Sequence, residues 1–169
     1  MNLYDTDTDC QSVNSTDNYH IHQGEMYTIP FYTASVAAAG AESISFTTPT
    51  KGKFYLKPIK FSAVTNIVQV AVTEGAVMAS GNSATPQNQN RLKGNDSGVV
   101  VATAATLTTA GTLIYNDGVG AGTGATQNEE TGASQEIVLK PNTTYSITFS
   151  NVGASTATVI YYTIRWIER

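Results

Sequence analysis

Residues 137–167, IVLKPNTTYSITFSNVGASTATVIYYTIRWI, hold two runs of period-two alternation that limit the fold more than any other part of the chain. Tyr145, Ile147 and Phe149 alternate with Ser146 and Thr148; Ile160, Tyr162, Ile164 and Trp166 alternate with Tyr161, Thr163 and Arg165. Successive side chains of a strand point to opposite faces, so each run reads as a strand with one face in a core. A Pro141-Asn142 turn precedes the first run and small residues separate the two, which predicts a C-terminal hairpin. Trp166, the only tryptophan, is expected in the core. The other face of the last strand carries Val159, Tyr161, Thr163 and Arg165. A half-apolar outer face predicts cover by another sheet, by an N-terminal arm or by another subunit.

The rest of the chain repeats the pattern in shorter pieces. Tyr27, Ile29 and Phe31 share a face, and Pro30, lacking a donor, marks an edge or strand end. Ile44 and Phe46 mark a strand closed by Thr48-Pro49-Thr50. Lys51-Gly52 turns into residues 53–61, where Pro58 forces a bulge or a break. Val68, Val70 and Val72 face inward on the next strand, and residues 98–102 and 112–115 read as two more. Asn116-Asp117-Gly118 reads as a turn. No helical period stands out, and the threonines in 102–110 argue against a helix there. The expectation is all-β: an antiparallel, jelly-roll-like β-sandwich of about eight strands with an extended N-terminal arm. Residues 1–24 form the acidic arm and residues 25–169 the single sandwich domain, with long polar loops near 74–98 and 116–136.

Charge separates the same two regions. Residues 1–50 carry six acidic side chains and no Lys or Arg, whereas 51–169 carry nine basic and seven acidic ones. With a net charge of −4 the chain is not expected to bind nucleic acid. Cys10 is the only cysteine, so no internal disulfide forms. The first 20 residues contain no apolar run, and no signal peptide or membrane span is expected.

Motifs that carry chemistry fail on inspection. His20 and His22, two apart, would share one face of a strand and are the only metal-ligand candidates. Asp5, Asp7 and Asp9 alternate as a calcium loop begins, but its sixth and twelfth positions are Cys10 and Thr16 rather than Gly and Glu. The glycines from Gly118 to Gly124 lack a following Lys-Ser/Thr or an amphipathic helix. Glu129 and Glu130 are adjacent, not paired across a cleft. No catalytic residue, cofactor or metal is expected, and the chain reads as a non-enzyme.

Three segments resemble the head decoration, cement or head-fibre-base proteins of tailed bacteriophages. They are Phe46-Thr47-Thr48-Pro49 leading to Phe54-Tyr55-Leu56-Lys57; Asn88-Gln89-Asn90-Arg91; and Glu136 to Tyr145, followed by Phe149-Ser150-Asn151 and Ile164-Arg165-Trp166-Ile167-Glu168. The resemblance spans roughly residues 44–168. It implies a β-sandwich without catalysis, bound to the outside of a capsid as a dimer or trimer and stabilising the shell. The implied partners are the major capsid protein and further copies of the chain, with no membrane involved. Leu3, Tyr4, Asp5, Asp7 and Asp9 of the arm, with Tyr161 and Arg165 on the last strand, are the expected contact residues. The alternative is a tail or fibre component whose long loop, 76–95, meets host glycans. The absence of aromatic residues from 74–111 and 116–136, apart from Tyr115 between them, argues against sugar stacking.

Overall fold

The computed structural model of the chain describes residues 16–79, 81–119, 126–127, 136–152 and 156–169. One helix, α1 (Thr16–Gln23), precedes the strands. These are β1 (Met26–Val36), β2 (Ala41–Thr47), β3 (Phe54–Leu56), β4 (Lys60–Ala63) and β5 (Val68–Glu74). Then come β6 (Val77–Met78), β7 (Asn82–Ala84), β8 (Gln87–Asn88), β9 (Val100–Thr103) and β10 (Leu107–Thr109). The last are β11 (Thr112–Val119), β12 (Thr126–Gln127), β13 (Ile137–Leu139), β14 (Thr144–Asn151) and β15 (Thr158–Glu168).

Two antiparallel sheets face each other. One has the order β12-β4-β15-β1-β8, with β3 also beside β15 and β13 beside β3; the other has the order β11-β5-β14-β2-β9-β7. The pairings β1–β15, β2–β14, β4–β12 and β5–β11 fold the chain back on itself about its middle. Successive pairs alternate between the sheets, so the chain is one long hairpin rolled into a sandwich, the jelly-roll arrangement. The expected all-β sandwich is therefore observed.

The rolled hairpin corrects the expected C-terminal hairpin. β14 pairs with β2 and β5, β15 with β1, β3 and β4, and β13 with β3, so no two of the three pair with each other. Alternation tells which side chains face the core, not which strand lies alongside. The inward residues nevertheless meet, from opposite sheets. The Phe149 ring stacks on Tyr162 with centroids 4.5 Å apart, and Phe46 meets Trp166 edge-on at 5.1 Å. Val68, Val70 and Val72 are all buried, as the alternation predicts.

The prolines act as expected. Pro30 lies where β1 has β15 on one side only, because β8 pairs just with Tyr27 and Thr28. Pro58 separates β3 from β4 along one flank of β15. Leu56 faces Trp166 and Lys60 faces Thr163, four residues against three, which is a bulge. Asn142, in the Pro-Asn turn, has φ 50°, a left-handed conformation that asparagine tolerates.

The two long loops carry more structure than expected. Beyond β5 and β11 the hairpin continues as β6–β10 and then β7–β9, with β9 bonded to the free edge of β2. The strand β8 adds to the edge of β1. The insertion thus covers residues 45–47 of the β2 edge and residues 27–28 of the β1 edge, which shortens two exposed pairing surfaces. Between β5 and β9 the ribbon passes over the outer face of β14 and β2. Ser146 faces away from the core yet is 0% exposed, and Ser43 is also buried; their hydroxyls join Thr148 Oγ1 at 2.8 and 2.9 Å. Gly111 is needed at this crossing, where a Cβ would collide with the Glu74 carbonyl. Asn116-Asp117-Gly118 is not a turn. Its residues pair with Ala71, Val70 and Gln69 inside β11, and Asp117 satisfies itself by accepting from Tyr115 Oη and Gly118 N. Here ladder pairing outweighs local turn preference.

A core test follows. Phe149→Ala is expected to lower the unfolding free energy by about 3–5 kcal/mol, because the ring is buried between the sheets. Val138→Ala, at a position 67% exposed, is expected to change it by less than about 0.5 kcal/mol. Urea unfolding of both variants measures the difference.

Candidate interaction surface

Residues 16–23, expected in an extended arm, form the helix α1. Asp17 sits in its first turn and His20 and His22 in its last, the arrangement its dipole favours. That is a small effect, and eight residues do not hold a helix alone. Docking does. Met26 and Ile167 pair across β1 and β15 on the outer face, opposite Tyr27 and Trp166, yet both are fully buried. The helix packs on β1 at this end and buries His20 there. The expected cover of the outer face is thus provided in part by the chain's own N-terminal segment.

Ionic contacts fix the helix at both ends. At its start, Asp17 Oδ1 lies 2.8 Å from Lys57 Nζ, and its Oδ2 3.8 Å from Arg165 Nη1; Glu136 Oε2 is 3.1 Å from the same Lys57. Burial disfavours the Lys57 ammonium, but the Asp17 and Glu136 carboxylates outweigh that and raise its pKa. Just past the helix, His20 Nδ1 is 2.8 Å from Glu25 Oε2. The carboxylate only accepts, so this ring nitrogen carries a proton. Arg169 Nε donates to the same oxygen at 3.1 Å, and its Nη2 lies against the imidazole, 3.3 Å from Nδ1. Burial would raise the Glu25 pKa; the hydrogen bonds from His20 and Arg169 and the guanidinium charge outweigh it and hold it below the usual 4.5.

The insertion holds the other end of α1. Asn90 Nδ2 donates to the His22 carbonyl at 3.0 Å and Asn88 Nδ2 to the Gly24 carbonyl at 2.9 Å, pairing groups that a helix end leaves open. Gln89 N donates to Met26 O. Nearby, Glu168 accepts from Trp166 Nε1 at 2.7 Å, from Gly98 N at 2.9 Å and from the Ser97 hydroxyl. One carboxylate thus ties the core tryptophan to the insertion.

The strand on which the two histidines would share a face is a helix instead. Two residues apart on a helix is about 200°, so His20 and His22 point to opposite sides. His20 is buried and bonded to Glu25, and His22 is exposed. Among the described residues no cluster of three His, Cys, Asp or Glu side chains stands ready for a metal ion. Of the expected contact residues, Arg165 faces Asp17 within the chain, and Tyr161 lies four residues back on the same face of β15, 49% exposed. Leu3, Tyr4, Asp5, Asp7 and Asp9 lie outside the described residues, as do Cys10, Glu129 and Glu130.

Parts of the three segments singled out in the sequence come together here, whereas Phe149-Ser150-Asn151 lies at the other end of β14, beside Val68–Val70. Phe54-Tyr55-Leu56 lies between Ile137–Leu139 and Trp166–Glu168, and Asn88–Asn90 brace α1 over Met26. The sequence reading missed Asp17, Glu25, Lys57, Glu136 and Arg169 as a group. No local signal marks partners this far apart in the chain. No family model, curated protein or solved structure matches the chain.

Acid is expected to loosen the helix. Because the folded-state pKa of Glu25 is lowered, its contribution is present above the usual 4.5 and is lost as pH falls through the lower folded value. Amide exchange of residues 17–24 should therefore speed up relative to β14 as pH falls below 4.5. Glu25→Gln should exchange faster already at pH 7 and show a weaker acid response.

Proposed function

We propose that the protein is a non-enzymatic structural component of a bacteriophage virion, a decoration or cement protein that binds the outside of the capsid and stabilises the shell. What supports the reading is the resemblance of the three segments, parts of which, residues 54–56, 137–139 and 166–168, lie side by side at one corner of a jelly roll. Clamping needs a rigid body with broad surfaces rather than a reactive group. The rolled hairpin, with its edges partly covered, supplies such a body.

In this reading the major capsid protein is the partner, and the chain acts as a dimer or trimer. Residues 1–15 reach the body at α1, beside Arg165, and carry Asp5, Asp7 and Asp9. They meet basic patches on the capsid protein, with Leu3, Tyr4 and Tyr161 supplying apolar area. An adhesion role on the tail or fibre is less favoured, because residues 82–84 and 87–88 of the polar insertion pair with the body.

Deleting residues 1–15 spares α1 and its cover of Met26 and Ile167, so it tests the arm without opening the fold. Purified full-length protein is expected to co-sediment stoichiometrically with phage heads that lack it, and the truncated chain to remain in the supernatant. Full-length protein that ignores heads and binds tails or host glycans would overturn the decoration reading. Equal binding of both forms would remove the arm from it.

A further inference from the structure

Small hydroxyl side chains line the outer face of β14 and the strands beside it. By register Ser146 faces Thr73 on β5 and Ser45 on β2, and Thr148 faces Ala71 and Ser43. These positions alternate with the buried Tyr145, Ile147, Val72 and Ile44, so their side chains point away from the core. Yet Ser146 is fully buried and Ser43 nearly so. The insertion closes this layer, and its two legs are anchored to the same strands. Ala76 N donates to Thr144 O and Ala105 N to Ser43 O, and both alanines are buried.

The protons of this layer outnumber its acceptors. A hydroxyl has one proton to donate and two lone pairs to accept with. Ser146, Thr148 and Ser43 are joined in a chain by two bonds, of 2.8 and 2.9 Å. Three protons and two bonds leave one proton with no acceptor inside the chain. Thr73 Oγ1, across from Ser146, is also shut off from solvent, and no hydrogen-bonding group of the described residues reaches it. A buried hydroxyl left in that state loses its hydration with nothing in return. Facing residues of an antiparallel pair have Cβ atoms about 4.5–5.5 Å apart, and two hydrogen bonds of about 2.8 Å laid end to end span that separation. Ala71, Ser43 and Ser45, the other neighbours on the flanking strands, are small, so the layer is not filled from the sheet side.

We propose that Thr73 and Ser146 bind one buried water molecule, which bridges β5 to β14 beneath the insertion. The water accepts the proton that Ser146 has over when the chain donates from Ser43 towards Ser146, and it pairs with Thr73 Oγ1 as donor or acceptor. Water is the species that fits. Neutral hydroxyls do not offset the desolvation of an ion, and an apolar molecule would leave both hydroxyls unpaired. Thr73 stands one residue before the end of β5, where the strand passes into the insertion, so the bridge steadies the base of that ribbon. The site is independent of any role on a virion.

A crystal structure of the full chain, at a resolution that shows ordered water, tests the site directly. One water is expected within hydrogen-bond distance of both Thr73 Oγ1 and Ser146 Oγ. Thr73→Val keeps the shape and removes the hydroxyl. It is expected to lose the water and to melt about 2–4 °C lower, because the serine chain is then left with its spare proton buried. Thr73→Ser is expected to keep the water. A wild-type structure with no water between the two hydroxyls overturns the proposal. So does a Thr73→Val protein that melts at or above the wild-type temperature, the result expected when a methyl group replaces an orphaned hydroxyl.

Discussion

The contact between inward side chains of strands in opposite sheets holds the two layers together. Phe149 on Tyr162 and Phe46 on Trp166 join β14 and β2 to β15 across the core. Phe61 of β4 adds a third contact across the core, 5.7 Å from Phe149, and Tyr27 stacks on Trp166 within its own sheet at 6.0 Å. Because β14 and β15 follow each other in the chain but lie in different sheets, these contacts fix the roll as well as the core. Losing them separates the sheets rather than leaving a local gap.

Around that core, polar groups position what the hydrophobic contacts leave free. Glu168 binds the Trp166 indole and the 97–98 backbone, so the insertion is referenced to the core itself. Glu25, His20 and Arg169 tie α1 to the end of β15. Single exposed ion pairs contribute little, typically below about 1 kcal/mol. Here several converge on a half-buried site, and the apolar cover of Met26 and Ile167 adds to them. The helix is held by tertiary contacts, which is why its sequence gives little sign of it: Tyr19 and Ile21 do not form an apolar stripe.

The parts of the fold legible in the sequence share one property, a strong local period. β5, β14 and β15 were readable because valines, aromatic residues and isoleucines alternate over seven or more residues. The Pro58 break and the Pro-Asn turn were readable because φ restriction acts at the residue itself. The insertion was not, since β7 and β8 are only three and two residues with Ala84 their one apolar side chain, made strands by the edges of β9 and β1 that they reach. The ionic cluster at α1 was less legible still: Tyr161 and Arg165 were marked by the face they share, but Asp17, Lys57 and Glu136 become neighbours only after folding.

The sequence by itself determined the all-β class, the faces of the main strands and the burial of Trp166, because these follow from a period of two and from the size of the side chains. Tertiary structure alone decided which strands became neighbours. It turned an apparent hairpin into strands of opposite sheets, coiled residues 16–23, and drew a polar insertion over two edges. The physical reason is that pairing register and layer assignment depend on contacts among residues dozens to more than a hundred positions apart, and a local pattern carries no record of them.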